Sequence, residues 1–182
     1  FNYFTKLKIT QSLVEKTLGM TDLPLLSEPN LQQQLVEIGY QGKKLEELEG
    51  LSATEKANML FIVQDPYTSY YDAKVVRDFV VLTQKLGFEP ILLPFKPNGK
   101  AMHIKGFLAR FSKTAKTQAE FLNRVAKLNV PLVGVDPAIV LSYRDEYKEV
   151  LGDSRGDFHV LTAHEWLTNQ LKSNALQSAC LL

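Results

Sequence analysis

The sequence predicts an α/β fold built around a parallel sheet. Three observations predict it. Met59–Val63 is a short, unbroken apolar run that stops at Asp65-Pro66, which is how a strand buried on both faces reads. A stretch of helical periodicity, Ala73–Leu86, follows it and stops at Gly87. The same strand-then-helix pattern then recurs, giving the order β-α-β-α-β-α-β-α. Alternation of this kind implies right-handed crossovers, with helices on both faces of the sheet. The expectation is a Rossmann-like three-layer sandwich with a four-stranded parallel sheet and an N-terminal helical extension.

The elements follow in order. Residues 1–50 read as a helical extension or a linker from an upstream domain, because no strand pattern occurs there. Phe1–Leu18 is amphipathic, with Gly19 placed as its C-terminal stop. Met20–Pro29 holds Pro24 and Pro29 and reads as extended. Asn30 is placed to cap a helix over Leu31–Ile38 that ends at Gly39, and Leu45–Leu48 is a weaker helical piece. Residues 51–172 form the α/β module. Ser52-Ala53-Thr54-Glu55 is a capping box that predicts a short helix leading into the first strand. The Ala73–Leu86 helix is expected to bury Val75, Val76, Phe79, Val80, Leu82 and Leu86. The second strand is Pro90–Leu93, and a turn-rich loop, Pro94–Gly99, follows. A long helical stretch covers Lys100–Leu128, with a break expected near Ser112–Ala115. The third strand is Leu132–Val135, and Asp136-Pro137 opens a helix over Ala138–Leu151. Gly152–Asp157 is a polar loop, Phe158–Thr162 the fourth strand and His164–Lys172 the last helix. Residues 173–182 are a tail.

Composition excludes several classes. Hydrophobic residues make up 45% and charged residues 23% of 182, as in an ordinary globular domain. A net charge of +1 gives no strong pull on nucleic acid or acidic membranes. No apolar run approaches the roughly 20 residues of a membrane span, and no secretory leader pattern is present. The single cysteine, Cys180, excludes an internal disulfide and any multi-cysteine metal or iron–sulfur site within the chain. A cytoplasmic location is the expectation. The chain begins at Phe1 and ends in Ala-Cys-Leu-Leu, from which a segment of a longer polypeptide is expected.

In sheets of this kind ligands sit beyond the carboxyl ends of the strands. The loops there are Gln64–Asp72, Pro94–His103, Asp136–Ser142 and Thr162–Trp166. The candidate binding residues are Asp65, Tyr67, Thr68, Ser69, Tyr71, Asn98, Gly99, Lys100, His103, Asp136 and Arg144. Tyr70 and His164 share the same polar rim. Asp and Ser also cap helices, so some of these residues have a purely structural use. No G-x-G-x-x-G follows a strand, so a dinucleotide fingerprint is absent. Gly99-Lys100-Ala101 resembles the end of a P-loop but lacks the earlier Gly and the final Ser/Thr. The helix start at Lys100 suits at most a small anion. His164-Glu165 has no second His one turn on, and with three histidines a metal site would need carboxylates as well. His103, one turn from Lys100, is expected to face the same loop mouth. Asp145 and Glu146 read either as acid–base carboxylates or as helix-surface charge. Arg144 reads as the partner of Asp145, Asp136 or a substrate carboxylate. Tyr143 and Tyr147, one turn apart, are expected to pack. No catalytic residue and no metal site is assigned.

Three segments, FIVQDPYTSYYDA, LLPFKPNGKAMHIKGFL and GVDPAIVLSYRDEYK, resemble the C-terminal region of large FAD-linked oxidases. Those proteins join an FAD-binding oxidase domain, a ferredoxin-like iron–sulfur domain and a cysteine-rich "CCG" domain. The resemblance is strongest to the long bacterial D-2-hydroxyglutarate dehydrogenase type and covers Met20 to Leu171. In that family one Cys follows the first strand of the cysteine-rich module, Cys-Cys-Gly follows the second, and another Cys follows the third. Those positions fall near Asp65, on Pro97-Asn98-Gly99 and within Gly134–Ile139, and Gly99 alone is kept. The resemblance therefore implies a first, cysteine-depleted module with no cofactor of its own. It implies FAD and a 4Fe-4S cluster elsewhere in a parent chain that oxidises a 2-hydroxy acid, and neighbouring domains of that chain as partners. The alternatives are an independent small-ligand or anion-binding module using Lys100, His103 and Thr68, and, last, a hydrolase or isomerase, for which no nucleophile–base pair is visible.

Overall fold

A computed structural model describes residues 2–3 and 24–173. Apart from residues 2–3, the helix expected over Phe1–Leu18, its stop at Gly19 and the tail carrying Cys180 lie outside the described residues. The fold is α/β, with one four-stranded sheet in the order β2-β1-β3-β4. The strands are β1 (Met59–Val63), β2 (Glu89–Leu92), β3 (Leu132–Gly134) and β4 (Val160–Thr162). Every pairing is parallel, with Ile62 opposite Leu92 on one side and Val133 on the other. The α-helices are α1 (Leu31–Glu37), α2 (Pro66–Tyr70), α3 (Ala73–Lys85), α4 (Lys100–Ile104), α5 (Leu108–Ala126), α6 (Pro137–Arg144), α7 (Glu146–Leu151) and α8 (Ala163–Lys172). Among the described residues no helix is long and apolar enough to cross a membrane.

The unbroken apolar run of β1 has a simple cause. All five of its residues are buried, and alternate side chains leave the strand on opposite faces. Leu60 and Ile62 join Val133, α3, α1 and Trp166 of α8 in one core. Met59, Phe61 and Val63 join Ile91, Leu93, Leu132 and the buried faces of α5, α6 and α7 in the other. Trp166 is almost wholly buried, edge-on to Phe88 at 4.9 Å and to Phe79 at 6.0 Å.

Several expected boundaries move. The buried stripe of α3 is Ala73, Val76, Phe79, Val80 and Thr83, whereas Val75 and Leu82 are exposed. The buried positions recur at three- and four-residue steps along one face, while Val75 and Leu82 fall off that face and Leu86, the C-cap, is half-buried. The Ser52–Glu55 hydrogen bonds form, yet residues 53–58 make turns only, because the chain must extend at Met59 to enter β1. The Lys100–Leu128 stretch breaks at Gly106, whose φ of +74° is left-handed, and not near Ser112–Ala115. The polar residues of α5 do not break it, and Thr117 donates its hydroxyl to the carbonyl of Lys113 one turn back. Ala138–Leu151 divides at Asp145 into α6 and α7. The loop Gly152–Asp157 contains a 3-10 turn, Gly152–Arg155. β2 starts at Glu89 and β4 at Val160, each a residue or two from the expected limits.

Residues 24–50 lie against this core. Asn30 caps α1, its side-chain oxygen accepting from the Gln33 amide at 3.0 Å while its own amide donates to the Gln33 side-chain oxygen. Leu31, Leu35 and Leu48 are buried. Tyr40 reaches the outer edge of β2, where its hydroxyl donates to the carbonyl of Pro90 (3.1 Å) and accepts from the amide of Leu92 (2.8 Å).

Candidate functional site

The chain leaves β1 for β2 on one side and later returns to the other side for β3. This reversal makes the carboxyl end of β1 a topological switch point, where α/β sheets open a crevice. A crevice of about 320 Å³ lies there. Its walls come from the segments after β1 (Asp65, Pro66, Tyr67), after β2 (Pro97–Met102 and Ile104) and from Ile139 of α6.

Asp65 begins the first wall. Its side chain caps α2, accepting from the amides of Tyr67 (2.8 Å) and Thr68 (2.9 Å) and from the Thr68 hydroxyl. Pro66 follows at the first helical position, where its missing N–H is no loss. The segment expected to be an open loop is therefore a capped helical turn. Burial pushes the Asp65 carboxyl above its ordinary value, the bonds from Thr68 oppose that shift, and the charge of Asp136 adds to it. Thr68 and Ser69 are buried behind the wall, with the Ser69 hydroxyl donating to Gln64 at 3.0 Å. Tyr67, Tyr70 and Tyr71 are exposed, with Tyr67 and Tyr71 at 6.2 Å and Tyr70 against Phe95 at 5.1 Å.

The second wall starts in a tight turn. Asn98 is buried, accepts from the Lys100 amide at 3.0 Å, and offers its carbonyl to the Tyr147 hydroxyl at 2.7 Å. Gly99 sits at φ +79°, and a Cβ there would lie 2.9 Å from Phe111. Only glycine meets both demands. Lys100 then opens α4 and bonds Glu146 of α7. His103, packed on Phe111 at 4.8 Å with the rings tilted, lies 3.9 Å from the same carboxylate. Burial raises the Glu146 carboxyl, but the bonded ammonium of Lys100 opposes that shift and the group is held below its ordinary value.

The predicted residues thus divide. Asp65, Tyr67, Asn98, Gly99 and Lys100 meet in one crevice. His103 stands beside it, and Asp136 caps α6 through the Ala138 amide at 2.8 Å. Arg144 is elsewhere: it grips Glu165 of α8 (2.9 Å) and the carbonyl of Val160 (2.8 Å). That ion pair holds the Glu165 carboxyl down at about 2. Tyr143 and Tyr147 pack edge-on at 5.1 Å, as their spacing predicts. His164 is exposed on α8. Sequence reasoning missed the apolar lining, Pro66, Ala101, Met102, Ile104 and Ile139, and the pairing of Lys100 with Glu146. The Lys100–Glu146 contact spans 46 positions, and no local pattern announces it. A second hollow, about 580 Å³, runs along the outer edge of β2 between Tyr40, Lys43, Gln64 and Pro94. It lies on the β2 side of β1, and Asp65, Asn98 and Lys100 do not line it.

Iron–sulfur ligation needs thiolates, and the donors at the corresponding positions are a capping carboxylate (Asp65), a proline (Pro97) and an amide (Asn98). These residues do not fit a cluster. Among the described residues no group of three or more His, Cys, Asp or Glu side chains is placed to hold a metal ion.

The chain matches one segment of much longer D-2-hydroxyglutarate dehydrogenases. It is 83% identical over 177 residues to the D-2-hydroxyglutarate dehydrogenase of Haemophilus influenzae, covering 97% of this chain and 17% of that protein. It is 61% identical over 173 residues to that of Escherichia coli, again 17% of the relative's length. With the Pseudomonas putida protein the identity is 36% over 167 residues. The chain therefore spans about a sixth of the length of these relatives. No family model matches it, and no solved structure matches it.

Proposed function

We propose that this chain is an α/β module of a FAD- and iron–sulfur-dependent 2-hydroxyacid dehydrogenase, an oxidoreductase, and that the module docks neighbouring domains and performs no chemistry itself. The observation that carries this reading is the alignment of 97% of the chain with only 17% of a D-2-hydroxyglutarate dehydrogenase. The site supports it. The charged groups at the crevice are already matched: Lys100 by Glu146, and Asp65 by the α2 amides and Thr68. A site built for acid–base chemistry would present such groups to a substrate. In this reading the module is the cysteine-depleted one of a tandem cysteine-rich region. The flavin and the 4Fe-4S cluster sit in other parts of the polypeptide and carry the redox chemistry there. The protein works in the cytoplasm, and the rim formed by Asp65, Tyr67, Tyr71 and Asn98–Lys100 faces a neighbouring domain.

The test is spectroscopic. The purified 182-residue chain should show neither flavin nor iron–sulfur absorption and no oxidation of D-2-hydroxyglutarate. Either absorption band, or turnover by the isolated chain, overturns the reading.

A further inference from the structure

We infer that the crevice at the switch point seats a large apolar side chain supplied by the polypeptide that flanks this segment in its longer relatives. This rests on the docking role proposed above and names what fills the crevice. The walls are mostly apolar: Pro66, Pro97, Ala101, Met102, Ile104 and Ile139. The volume, about 320 Å³, lies at the low end of the roughly 300–1,000 Å³ of small-ligand sites. Such sites orient a free ligand with a few polar groups that have bonding capacity to spare. Here the charged groups are matched within the chain, and Asn98 Nδ2, which has no hydrogen-bond partner, is buried out of reach. Lys100 holds Glu146, Asp65 holds three α2 donors, and the Asn98 side-chain oxygen holds the Lys100 amide. A charged ligand entering the crevice would give up its hydration and meet no unmatched counter-charge. An apolar side chain gives up nothing of that kind, and the domain that carries it is oriented by the rest of the contact.

The rim agrees with this occupant. Tyr67 and Ile104, which both line the crevice, are 62% and 72% exposed. Tyr71 extends the ring surface beyond Tyr67 at 6.2 Å, and Phe107 and Leu108, just past Ile104 in the chain, are exposed as well. Large exposed apolar residues around a concave apolar floor are the anatomy of an interface core. The relatives have ample chain to fill it, because this segment accounts for only 17% of the Haemophilus influenzae protein.

The experiment uses the whole polypeptide that carries this segment. Ile104 is replaced by the photo-crosslinking residue p-benzoylphenylalanine, and the cross-linked peptides are mapped by mass spectrometry. The expected product joins Ile104's position to a peptide of the same polypeptide outside these 182 residues, at or beside a Leu, Ile, Met, Phe or Trp. In parallel, Ile104→Asp should raise hydrogen exchange across residues 97–104 at least severalfold in the whole polypeptide. Leu171→Asp, an exposed apolar position on α8, should leave that exchange unchanged. Cross-links confined to this segment, or reaching a second copy, or landing on a charged stretch overturn the inference, as does unchanged exchange in Ile104→Asp. A cross-link to the flanking polypeptide at a charged stretch would sink this inference and leave the docking role standing. Flavin or iron–sulfur absorption by the isolated chain would sink the docking role itself.

Discussion

Lys100, at the first position of α4, bonds the carboxylate of Glu146, 46 residues later at the start of α7. Both side chains are under a quarter exposed. Removing one partner strands the other charge in a half-buried site. Glu146→Gln should cost about 1–3 kcal/mol of stability, read by urea unfolding. The double variant Lys100→Met with Glu146→Gln should recover part of that loss, because the two sites are coupled.

Acid should weaken the fold through carboxylates whose folded-state values are depressed, Glu146 and Glu165 among them. A depressed carboxylate contributes stability that is complete above its unfolded value and is lost as pH falls through its folded value. For Glu165 the window runs from about pH 4.3 down to about 2. Its side chain is 43% exposed, so solvent screening limits its share to under about 1 kcal/mol. Midpoints of urea unfolding should fall across this range, and Arg144→Met should flatten the fall.

Asp65 should behave in the opposite sense. Its folded-state value is raised, so its contribution is fully present below the unfolded value and is lost as pH rises through the folded one. Asp65→Asn keeps the cap and removes the buried charge. It should leave neutral-pH stability within about 1 kcal/mol of the parent or slightly above it. Asp65→Ala loses the cap and should cost about 1–2 kcal/mol. A large loss in the Asn variant would show that the charge itself is needed at this position.

Two glycines should resist substitution for different reasons. Gly99→Ala meets Phe111 at 2.9 Å in a left-handed backbone. Gly134→Ala meets Val140 at 2.4 Å, where α6 crosses the end of β3. Each should cost about 1–3 kcal/mol, measured by thermal unfolding. Gly50→Ala, with nothing near its Cβ, is the control.

Trp166 is the sole tryptophan and is 1% exposed. Its emission should therefore be blue-shifted in the folded chain and move red in one step on unfolding. Trp166→Ala should destabilise by about 3–5 kcal/mol, because it empties the contact shared by Phe79 and Phe88.

The sheet was legible from local pattern. Met59–Val63 reads as a strand and is one in the structure, and Asp136-Pro137 marks a helix start that the structure keeps, whereas Asp65-Pro66 reads as the start of a loop and opens α2 instead. Helix interruptions were less legible. Gly106 breaks the 100–128 stretch, while the more polar Ser112–Ala115 continues it, because a left-handed residue stops a helix more surely than hydroxyls do. In the candidate site, the polar residues could be named but not their partners. Arg144 turns to Glu165 and Lys100 to Glu146, and both choices depend on how helices distant in sequence are set side by side. The apolar floor was hidden for a related reason: Met102, Ile104 and Ile139 read as ordinary helix-face residues until the switch point gathers them.

The Tyr40 hydroxyl at the outer edge of β2 constrains assembly. It occupies the bonding positions of Pro90 and Leu92 that an incoming strand would use, and Pro90 has no N–H to offer. The sheet cannot grow on that side by strand addition. A companion module approaching this side must meet it through loops or helix faces, so any sheet shared by a tandem pair would have to continue through β4, the opposite edge.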